Sequence, residues 1–210
     1  TEVLCLHCQA SLTHNIPPFC PKCSRYLKDR SSVKCRDCRS INPHFDFAWS
    51  ACLYTSPLKE LIYQFKYNQK TYLRKPFAQL IINFIKKYQF DILQFDMIIP
   101  ISLHPARFRE RGYNQAHLLA KQIAHQYHIP LLHKELIRTR NTEHQTLLRR
   151  KERWTNILEA FRIRHPEKVF GKNILIIDDL LTTGATASEA AKVIKSAGGK
   201  TVGVLTLAIA

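Results

Sequence analysis

A short apolar run that ends in two adjacent aspartates constrains the fold of this chain more than any other feature. Residues 174–177 read Ile-Leu-Ile-Ile, which is typical of a strand buried on both faces of a parallel sheet. Asp178 and Asp179 follow directly, and in open α/β sheets ligands bind where the strands reach their carboxyl ends. We therefore expect an α/β protein with an open, mostly parallel sheet and a ligand site at the end of this strand.

The segment after the aspartates is rich in hydroxyl groups and contains a glycine. It reads Leu-Leu-Thr-Thr-Gly-Ala-Thr, and a helix is expected to begin within it. Backbone N–H groups at a helix amino terminus, together with hydroxyls, form a site for phosphate, and two carboxylates beside it suit a sugar phosphate. The alternative is a strand and a capped helix without a ligand, which would need neither both aspartates nor all three threonines. The candidate residues are Asp178, Asp179, Thr182, Thr183, Gly184, Ala185 and Thr186.

Six of the seven cysteines form three Cys-x-x-Cys pairs near the amino terminus. The pairs are Cys5/Cys8, Cys20/Cys23 and Cys35/Cys38, and eleven residues separate each pair from the next. Two such pairs supply the four thiolates of a tetrahedral Zn²⁺ site. A metal is a better interpretation than disulfide bonds in a cytosolic chain, and nothing around the pairs resembles a redox domain.

The spacing leaves open which pairs share the metal. Chain proximity favours the first and second pairs, while the second and third pairs enclose a loop of the same length. The pair left over would need His7, His14 or His44 to complete a second site. The metal is expected to be structural, because about 45 residues rich in charge bury little apolar core by themselves.

The chain is strongly basic, with a formal net charge of +16 over 210 residues. A charge of this size indicates a polyanionic partner, and nucleic acid is the first candidate. Residues 101–153 alone carry eleven lysines and arginines against four acidic residues. The charge is spread out, which favours non-specific contact with phosphates over sequence recognition. The alternative is that it serves solubility alone.

Two segments concentrate arginine where an anion could bind. The first begins at the end of a predicted buried strand at 95–100 and contains Pro100, Ile101, Ser102, Leu103, Arg107, Arg109 and Arg111. Its three arginines, on an expected loop, cannot bury themselves and are suited to phosphate. The second segment, residues 138–153, contains Arg138, Arg140, Arg149, Arg150, Lys151 and Arg153. It is predicted either to bind nucleic acid or to be a solvated basic helix.

Apolar residues recur at helical spacing in two segments after a predicted strand at residues 46–56. They predict one helix from about residue 57 to 68, in which Lys66 either faces the site or is solvated, and a second from about 74 to 88. No apolar run is long enough to cross a membrane. The first residues also lack the pattern of a signal peptide, so a cytoplasmic protein without membrane insertion is expected.

The segment 174–186 resembles the phosphoribosyl-pyrophosphate (PRPP) motif of type I phosphoribosyltransferases. The likeness consists of four apolar residues, Asp-Asp, two further residues and Thr-Thr-Gly-x-Thr. It implies that Asp178 and Asp179 bind the ribose 2′ and 3′ hydroxyls, directly or through Mg²⁺, and that residues 182–186 enclose the 5′-phosphate. It also implies that residues 100–103 form a pyrophosphate loop, with the arginines of the first basic segment nearby.

Nearly the whole chain resembles the ComF/GntX-like competence family, which joins cysteine knuckles to a type I phosphoribosyltransferase domain. The likeness includes Pro-Ile-Ser-Leu followed by Arg-x-Arg-x-Arg-Gly-Tyr-Asn-Gln-Ala, and it extends through residues 138–153. It implies a zinc ribbon at 1–45 and a phosphoribosyltransferase-like domain at 46–210, with a helical hood at about 56–90 and a flexible basic loop at about 138–153. Members with a full double ribbon carry four knuckles, whereas this chain has three, so the metal count is open.

The family is tied to natural transformation, which implies a role in handling incoming single-stranded DNA. The implied partners are single-stranded DNA, PRPP and competence or recombination proteins such as a helicase or a strand-handling protein. The alternative is an active phosphoribosyltransferase that acts on an unidentified nitrogen acceptor, for which the sequence shows no recognisable pocket. A third hypothesis is a zinc-ribbon scaffold that only docks partners. The expected cofactors are structural Zn²⁺, and Mg²⁺ with PRPP.

Overall fold

The structure, a computed structural model, describes residues 4–28, 34–141 and 150–210. A four-stranded sheet forms its centre and consists of β1 (Phe47–Leu53), β2 (Met97–Pro100), β5 (Asn173–Leu181) and β6 (Thr201–Ile209). The strand order is β1-β6-β5-β2, and every neighbouring pair is parallel. The predicted α/β class with a mostly parallel sheet is therefore confirmed.

The other elements connect these strands or cover the sheet. A second, antiparallel pair of strands is β3 (Leu136–Arg138) and β4 (Phe161–Ile163). The helices are α1 (Leu6–Ala10), α2 (Arg36–Ile41), α3 (Leu58–Tyr67), α4 (Arg74–Lys87), α5 (Pro105–Arg111), α6 (Gln115–Tyr127), α7 (Arg150–Ile157) and α8 (Ala185–Ser196). Short 3₁₀ turns occupy Thr71–Leu73, Ile92–Gln94 and Pro166–Lys168. Within the described residues, no helix combines the length and the apolar character that crossing a membrane requires.

The two faces of the sheet carry separate apolar clusters. Leu175 and Ile177 of β5 belong to the cluster that α3, α4 and α6 cover, whereas Ile174 and Ile176 belong to the cluster that α8 and the β3–β4 pair cover. Successive side chains of a strand point to opposite faces, so an unbroken apolar run can serve both clusters. Burial on both faces thus explains why residues 174–177 of this strand are all apolar.

The cysteine segment, residues 4–28 and 34–45, joins the edge of the sheet at β1. The backbone N–H of Asn15 donates to the carbonyl of Ala51 at 3.0 Å, and that of Leu53 donates to the carbonyl of Thr13 at 2.8 Å. The buried side chain of Asn15 also donates to the carbonyl of Ser50 at 3.1 Å. These bonds cover the edge strand and hold the segment against the sheet. The boundary predicted at residue 45 remains a prediction.

The loop expected after residue 103 is wrong, because the chain forms α5 there. Pro105 occupies the first turn of the helix, where its missing N–H costs nothing. The side chain of His104 caps the helix by accepting from the backbone N–H of Ala106 at 3.2 Å. Gly112 ends the helix with a φ of 80°, a conformation that glycine adopts without strain. The helices predicted at about 57–68 and 74–88 are confirmed as α3 and α4.

Candidate functional site

A cavity of about 620 Å³ lies where β5 ends and α8 begins. All the residues of the predicted sugar-phosphate site line it: Asp178, Asp179, Thr182, Thr183, Gly184, Ala185 and Thr186. From the predicted pyrophosphate loop at residues 100–103, Ile101 and Leu103 line the cavity while Pro100 and Ser102 do not. The hydroxyl of Ser102 is buried without a hydrogen-bond partner. The structure therefore brings the ends of β2 and β5 to one site.

The acidic pair lies within β5 and not beyond it, because the strand continues to Leu181. Asp179 is only 2% exposed. Its Oδ2 lies 2.5 Å from the Nζ of Lys66, and its Oδ1 accepts from the Nε2 of Gln115 at 3.1 Å. Asp178 is less buried, and its Oδ1 accepts from the backbone N–H of Asp179 at 2.9 Å. Lys66, near the end of α3, therefore faces the site.

Burial and the neighbouring charges give the two aspartates opposite protonation behaviour. Burial alone would raise the pKa of Asp179, but Lys66 and Gln115 outweigh it and hold that pKa below its ordinary value. Burial, followed by the charge of Asp179, raises the pKa of Asp178 to about 8. Burial opposes the charge of Lys66, yet Asp179 keeps the pKa of the ammonium group above its ordinary value. The site thus contains one firmly ionised pair beside a second carboxyl that readily holds a proton.

The turn between β5 and α8 presents the start of a helix to the cavity. Gly184 precedes the helix with a φ of 81°, and the hydroxyl of Thr183 accepts from the backbone N–H of Ala185 at 3.3 Å. The first N–H groups of an α-helix have no partner inside the helix, and α8 is 12 residues long. Residues 184–187 line the cavity, so this helix start is oriented toward it.

Basic side chains from five parts of the chain surround the acidic pair. The lysines and arginines that line the cavity are Arg25, Lys59, Lys66, Arg107, Arg111, Arg138 and Arg153. Among the described residues that line it, Asp178 and Asp179 are the only acidic ones. The lining therefore carries a clear excess of positive charge, which favours an anionic ligand.

The helical spacing of the three arginines on α5 determines which of them line the cavity. Arg107 and Arg111 are four residues apart, so they share one face of the helix and both line the cavity. Arg109 is exposed and does not line it. Residues two apart point in different directions on a helix, whereas the same spacing on an extended loop would have placed all three together.

The six candidate DNA-binding residues are distributed over different elements. Arg138 ends β3 and Arg153 lies on α7, and both line the cavity. Arg140 is exposed and donates to the carbonyl of Leu158. Arg149 lies outside the described residues, as do the side chains of Arg150 and Lys151. Two of these residues therefore adjoin the predicted PRPP site.

Four cysteines form a cluster that could hold a metal ion such as zinc. The sulfur atoms of Cys20, Cys23, Cys35 and Cys38 all lie within 4.8 Å of one another, with those of Cys23 and Cys35 3.6 Å apart. A tetrahedral site with Zn–S bonds of 2.3 Å needs sulfur atoms about 3.8 Å apart, so the donor set fits. The thiols of Cys23 and Cys38 donate to the sulfur of Cys20 and hold its pKa well below the ordinary range.

The pairing favoured from chain proximity is wrong. Cys5 and Cys8 lie outside the cluster, with Cys5 exposed and its sulfur accepting from the backbone N–H of Cys8 at 3.4 Å. Equal spacing between the pairs left the sequence without a means to choose. In the structure the third pair lies against the second. Cys35 precedes α2, and its backbone N–H donates to the sulfur of Cys20 at 3.3 Å.

Two further residues of the site, Arg25 and Gln115, were not among the candidates predicted from the sequence. Arg25 follows the second cysteine pair, and its guanidinium group donates to the carbonyls of Thr182 and Ala210, the latter at 3.2 Å. Gln115 starts α6 and bonds both Asp179 and Arg111. The sequence did not distinguish Arg25 from the other basic residues near it, because the residues that it contacts, Thr182 and Ala210, lie far away along the chain.

The chain is similar to known proteins over most of its length. It is 30% identical over 208 residues to Competence protein F of Haemophilus influenzae, covering 98% of this chain and 90% of that protein. It is 30% identical over 191 residues to DNA utilization protein YhgH of Escherichia coli O6:H1, covering 90% and 83% of the two. A solved purine phosphoribosyltransferase from Pyrococcus horikoshii aligns at a TM-score of 0.39 and 16% identity over 64% of this chain and 71% of the other, too weakly to carry an argument. No model of a protein family matches the chain.

Proposed function

Because the chain belongs to the ComF family of competence proteins, we propose that it handles incoming single-stranded DNA during natural transformation and binds PRPP in the cavity at the end of β5. The observation that carries the proposal is the pairing, in one cavity, of two adjacent carboxylates with a helix start and an excess of basic side chains. The names of its relatives, a competence protein and a DNA utilization protein, support the cellular role.

The chemistry of the cavity matches the parts of PRPP one by one. The carboxylates of Asp178 and Asp179 accept hydrogen bonds, as the ribose hydroxyls require. The N–H groups at the start of α8 suit the 5′-phosphate. Arg107 and Arg111 on α5 suit the pyrophosphate, because guanidinium groups bind phosphate oxygens in pairs.

A magnesium ion fits the same arrangement. Carboxylate and phosphate oxygens are its usual ligands, and Asp178 and Asp179 would supply the protein's share. When bound, Mg²⁺ would supply positive charge to the pyrophosphate oxygens. Lys66 compensates the charge of Asp179, so the carboxylate stays ionised despite its burial.

Calorimetric titration with PRPP and Mg²⁺ tests this proposal. We expect saturable binding that weakens at least tenfold in Asp178→Asn, because the amide keeps only one of the two oxygens that can accept from the ribose hydroxyls. Asp91→Asn is the matched control, since Asp91 is exposed and does not line the cavity. Absence of both heat and a thermal shift at millimolar PRPP–Mg²⁺ would overturn PRPP as the ligand.

A second function, transfer of the phosphoribosyl group to a nitrogen acceptor, is favoured by the size of the cavity. Its volume of about 620 Å³ lies within the range of small-molecule sites, which is roughly 300–1,000 Å³. The test is release of pyrophosphate from PRPP in the presence of purine, pyrimidine and amide acceptors. Release that depends on one acceptor and disappears in Asp178→Asn would establish transfer, whereas binding without release would leave PRPP as a ligand.

The DNA part of the proposal has its own test. We expect an unstructured oligonucleotide to bind with weak sequence dependence, measured by fluorescence anisotropy. Duplex DNA of the same sequence is the comparison. Failure of the oligonucleotide to bind at low salt would remove single-stranded DNA as a partner, independently of the result with PRPP.

A further inference from the structure

The outer face of α3 carries a row of side chains that belong to neither apolar cluster. Lys59, Tyr63 and Tyr67 follow one another at intervals of four residues, so they lie along one face of the helix. The opposite face is the one that packs, through residues such as Ile62 and Phe65. Lys59 and Tyr67 also line the cavity. This row therefore leads along the helix to the mouth of the proposed PRPP site.

The two tyrosines form an exposed pair of rings. Their centroids are 4.9 Å apart with an angle of 45° between the ring planes. Tyr63 is 57% exposed and Tyr67 is 43% exposed. The guanidinium group of Arg111 lies over the ring of Tyr67, 5.1 Å from its centroid. We call this set, Lys59, Tyr63, Tyr67 and Arg111, the tyrosine platform.

A further exposed tyrosine with a cation beside it lies close to the platform in the chain. Just beyond α3, Tyr72 is 47% exposed and the ammonium group of Lys70 lies 5.8 Å from its ring centroid. The large aromatic side chains that are exposed in the described part of the chain are Tyr26, Tyr63, Tyr67, Tyr72, Phe108 and Phe170. Half of these thus occur within residues 63–72, and each of those three tyrosines has a cation or a second ring beside it. A single exposed tyrosine needs no explanation, but aromatic rings that alternate with cations are suited to a specific ligand class.

We propose that the tyrosine platform stacks the bases of single-stranded DNA while Lys59 and Arg111 hold its phosphates. Unpaired bases offer flat faces to aromatic rings, and a basic groove beside the rings follows the backbone. Duplex DNA keeps its base faces inside the helix and cannot use the rings in this way. The inference rests on the proposed binding of single-stranded DNA and assigns that binding to the rim of the cavity. PRPP and DNA then share Arg111, so the two ligands compete.

The experiment separates stacking from charge by measuring affinity for a labelled, unstructured oligonucleotide over a series of salt concentrations. Stacking on one aromatic ring contributes about 5- to 140-fold to affinity. We therefore expect Tyr63→Ala and Tyr67→Ala each to lower affinity by roughly tenfold at every salt concentration, with an unchanged slope of log affinity against log salt. Tyr63→Phe should bind as the wild type does, because its ring remains. Lys59→Gln should flatten the slope by about 0.7.

Two controls make the outcome decisive. Phe170→Ala removes an aromatic side chain that is 72% exposed but lies just before the first residue of β5, whereas the cavity lies where β5 ends, and this variant should bind normally. An oligonucleotide of abasic residues should bind the wild type and Tyr63→Ala equally, since it has no bases to stack. Thermal unfolding checks that each variant is folded.

The possible failures are distinguishable. If wild-type protein does not bind the oligonucleotide, the proposed DNA function is wrong and the platform with it. If the wild type binds and the double variant Tyr63→Ala/Tyr67→Ala binds with the same affinity, the platform is wrong and the DNA surface lies elsewhere. A loss of affinity in the Phe170→Ala control as large as in the tyrosine variants would also overturn it.

Discussion

The guanidinium group of Arg25 donates a hydrogen bond to the carbonyl oxygen of Thr182, 157 residues further along the chain. The same group forms an ion pair with Asp37, 3.3 Å away, which lies between the third pair of cysteines. Arg25 itself follows Cys23 by two residues. One side chain therefore connects the cysteine cluster to the turn that is proposed to bind the 5′-phosphate of PRPP.

We predict that Arg25→Ala weakens PRPP binding without loss of metal. A hydrogen bond to a charged group contributes about 1.5–3 kcal/mol, and its loss leaves the turn at Thr182 less well ordered, so affinity should fall by about tenfold or more. Calorimetry measures the affinity and elemental analysis the metal. Arg39→Ala, an exposed arginine on α2, is the matched control. Equal affinity in wild type and Arg25→Ala would show that the two regions act independently.

The metal prediction follows from the cluster of Cys20, Cys23, Cys35 and Cys38. We expect one equivalent of zinc per chain, because the described cysteines form one group of four. Cys23→Ser should lose the metal and much of the soluble yield, since metal binding and folding of such segments are coupled. Cys8→Ser should retain both. Elemental analysis of the purified variants is the measurement. Loss of zinc in Cys8→Ser would instead indicate that the first and second cysteine pairs share the metal.

The buried ion pair between Lys66 and Asp179 should be strongly coupled. Removing one partner leaves a buried charge without compensation, so we expect Lys66→Met and Asp179→Asn each to lower the free energy of unfolding by about 3–5 kcal/mol. The double variant should lose less than the sum of the two, because it leaves no unpaired charge. Urea unfolding of the four proteins gives the coupling energy. Strictly additive losses would mean that the pair contributes little.

Glu135 supplies a pH-dependent part of the stability. It is buried, and its carboxylate contacts the Nζ of Lys168 at 2.7 Å and the Nδ1 of His165 at 2.8 Å. Burial opposes its charge, but these two partners outweigh burial and hold the pKa of Glu135 below its ordinary value of 4.5. The native state therefore binds fewer protons than the unfolded state near that pH. The contribution is present above pH 4.5 and is lost as the pH falls through the lowered pKa.

We accordingly expect Glu135→Gln to melt at a lower temperature than the wild type at pH 7, by the equivalent of about 1–2 kcal/mol. The difference should shrink as the pH is lowered toward 3, where the wild-type carboxyl is protonated as well. Thermal unfolding between pH 3 and 7 measures it. Glu167→Gln, an exposed neighbour, should show no such trend. A difference that stays constant with pH would assign the effect to packing.

Binding of single-stranded DNA should depend steeply on salt. Each phosphate that the protein neutralises contributes about −0.7 to the slope of log affinity against log salt. Replacing Arg149, Arg150 and Arg153 together with Ala should flatten the slope by roughly one to two units. The matched control replaces Lys86, Lys87 and Lys200, which precede β2 and β6 in the chain and do not line the cavity. An unchanged slope in the arginine variant would exclude residues 149–153 from the interface.

Local patterns in the sequence determined the central features of the fold and the centre of the site. The apolar run at 174–177 serves both faces of a parallel sheet, and the residues that form the site directly follow it in the chain. A contiguous motif keeps its geometry because a strand, a turn and a helix start are defined by neighbours within a few residues. For the same reason α3 and α4 could be predicted from helical spacing alone.

Only the tertiary structure decided which distant groups meet. Equal loop lengths made the cysteine pairs equivalent in the sequence, and the packing of α2 against the second pair selected the cluster. The helical form of α5 admitted Arg107 and Arg111 to the cavity and left Arg109 outside. The contact of Lys66 with Asp179 likewise joins α3 to β5. Such pairings depend on how separate elements pack, and sequence periodicity carries no information about a partner more than a hundred residues away.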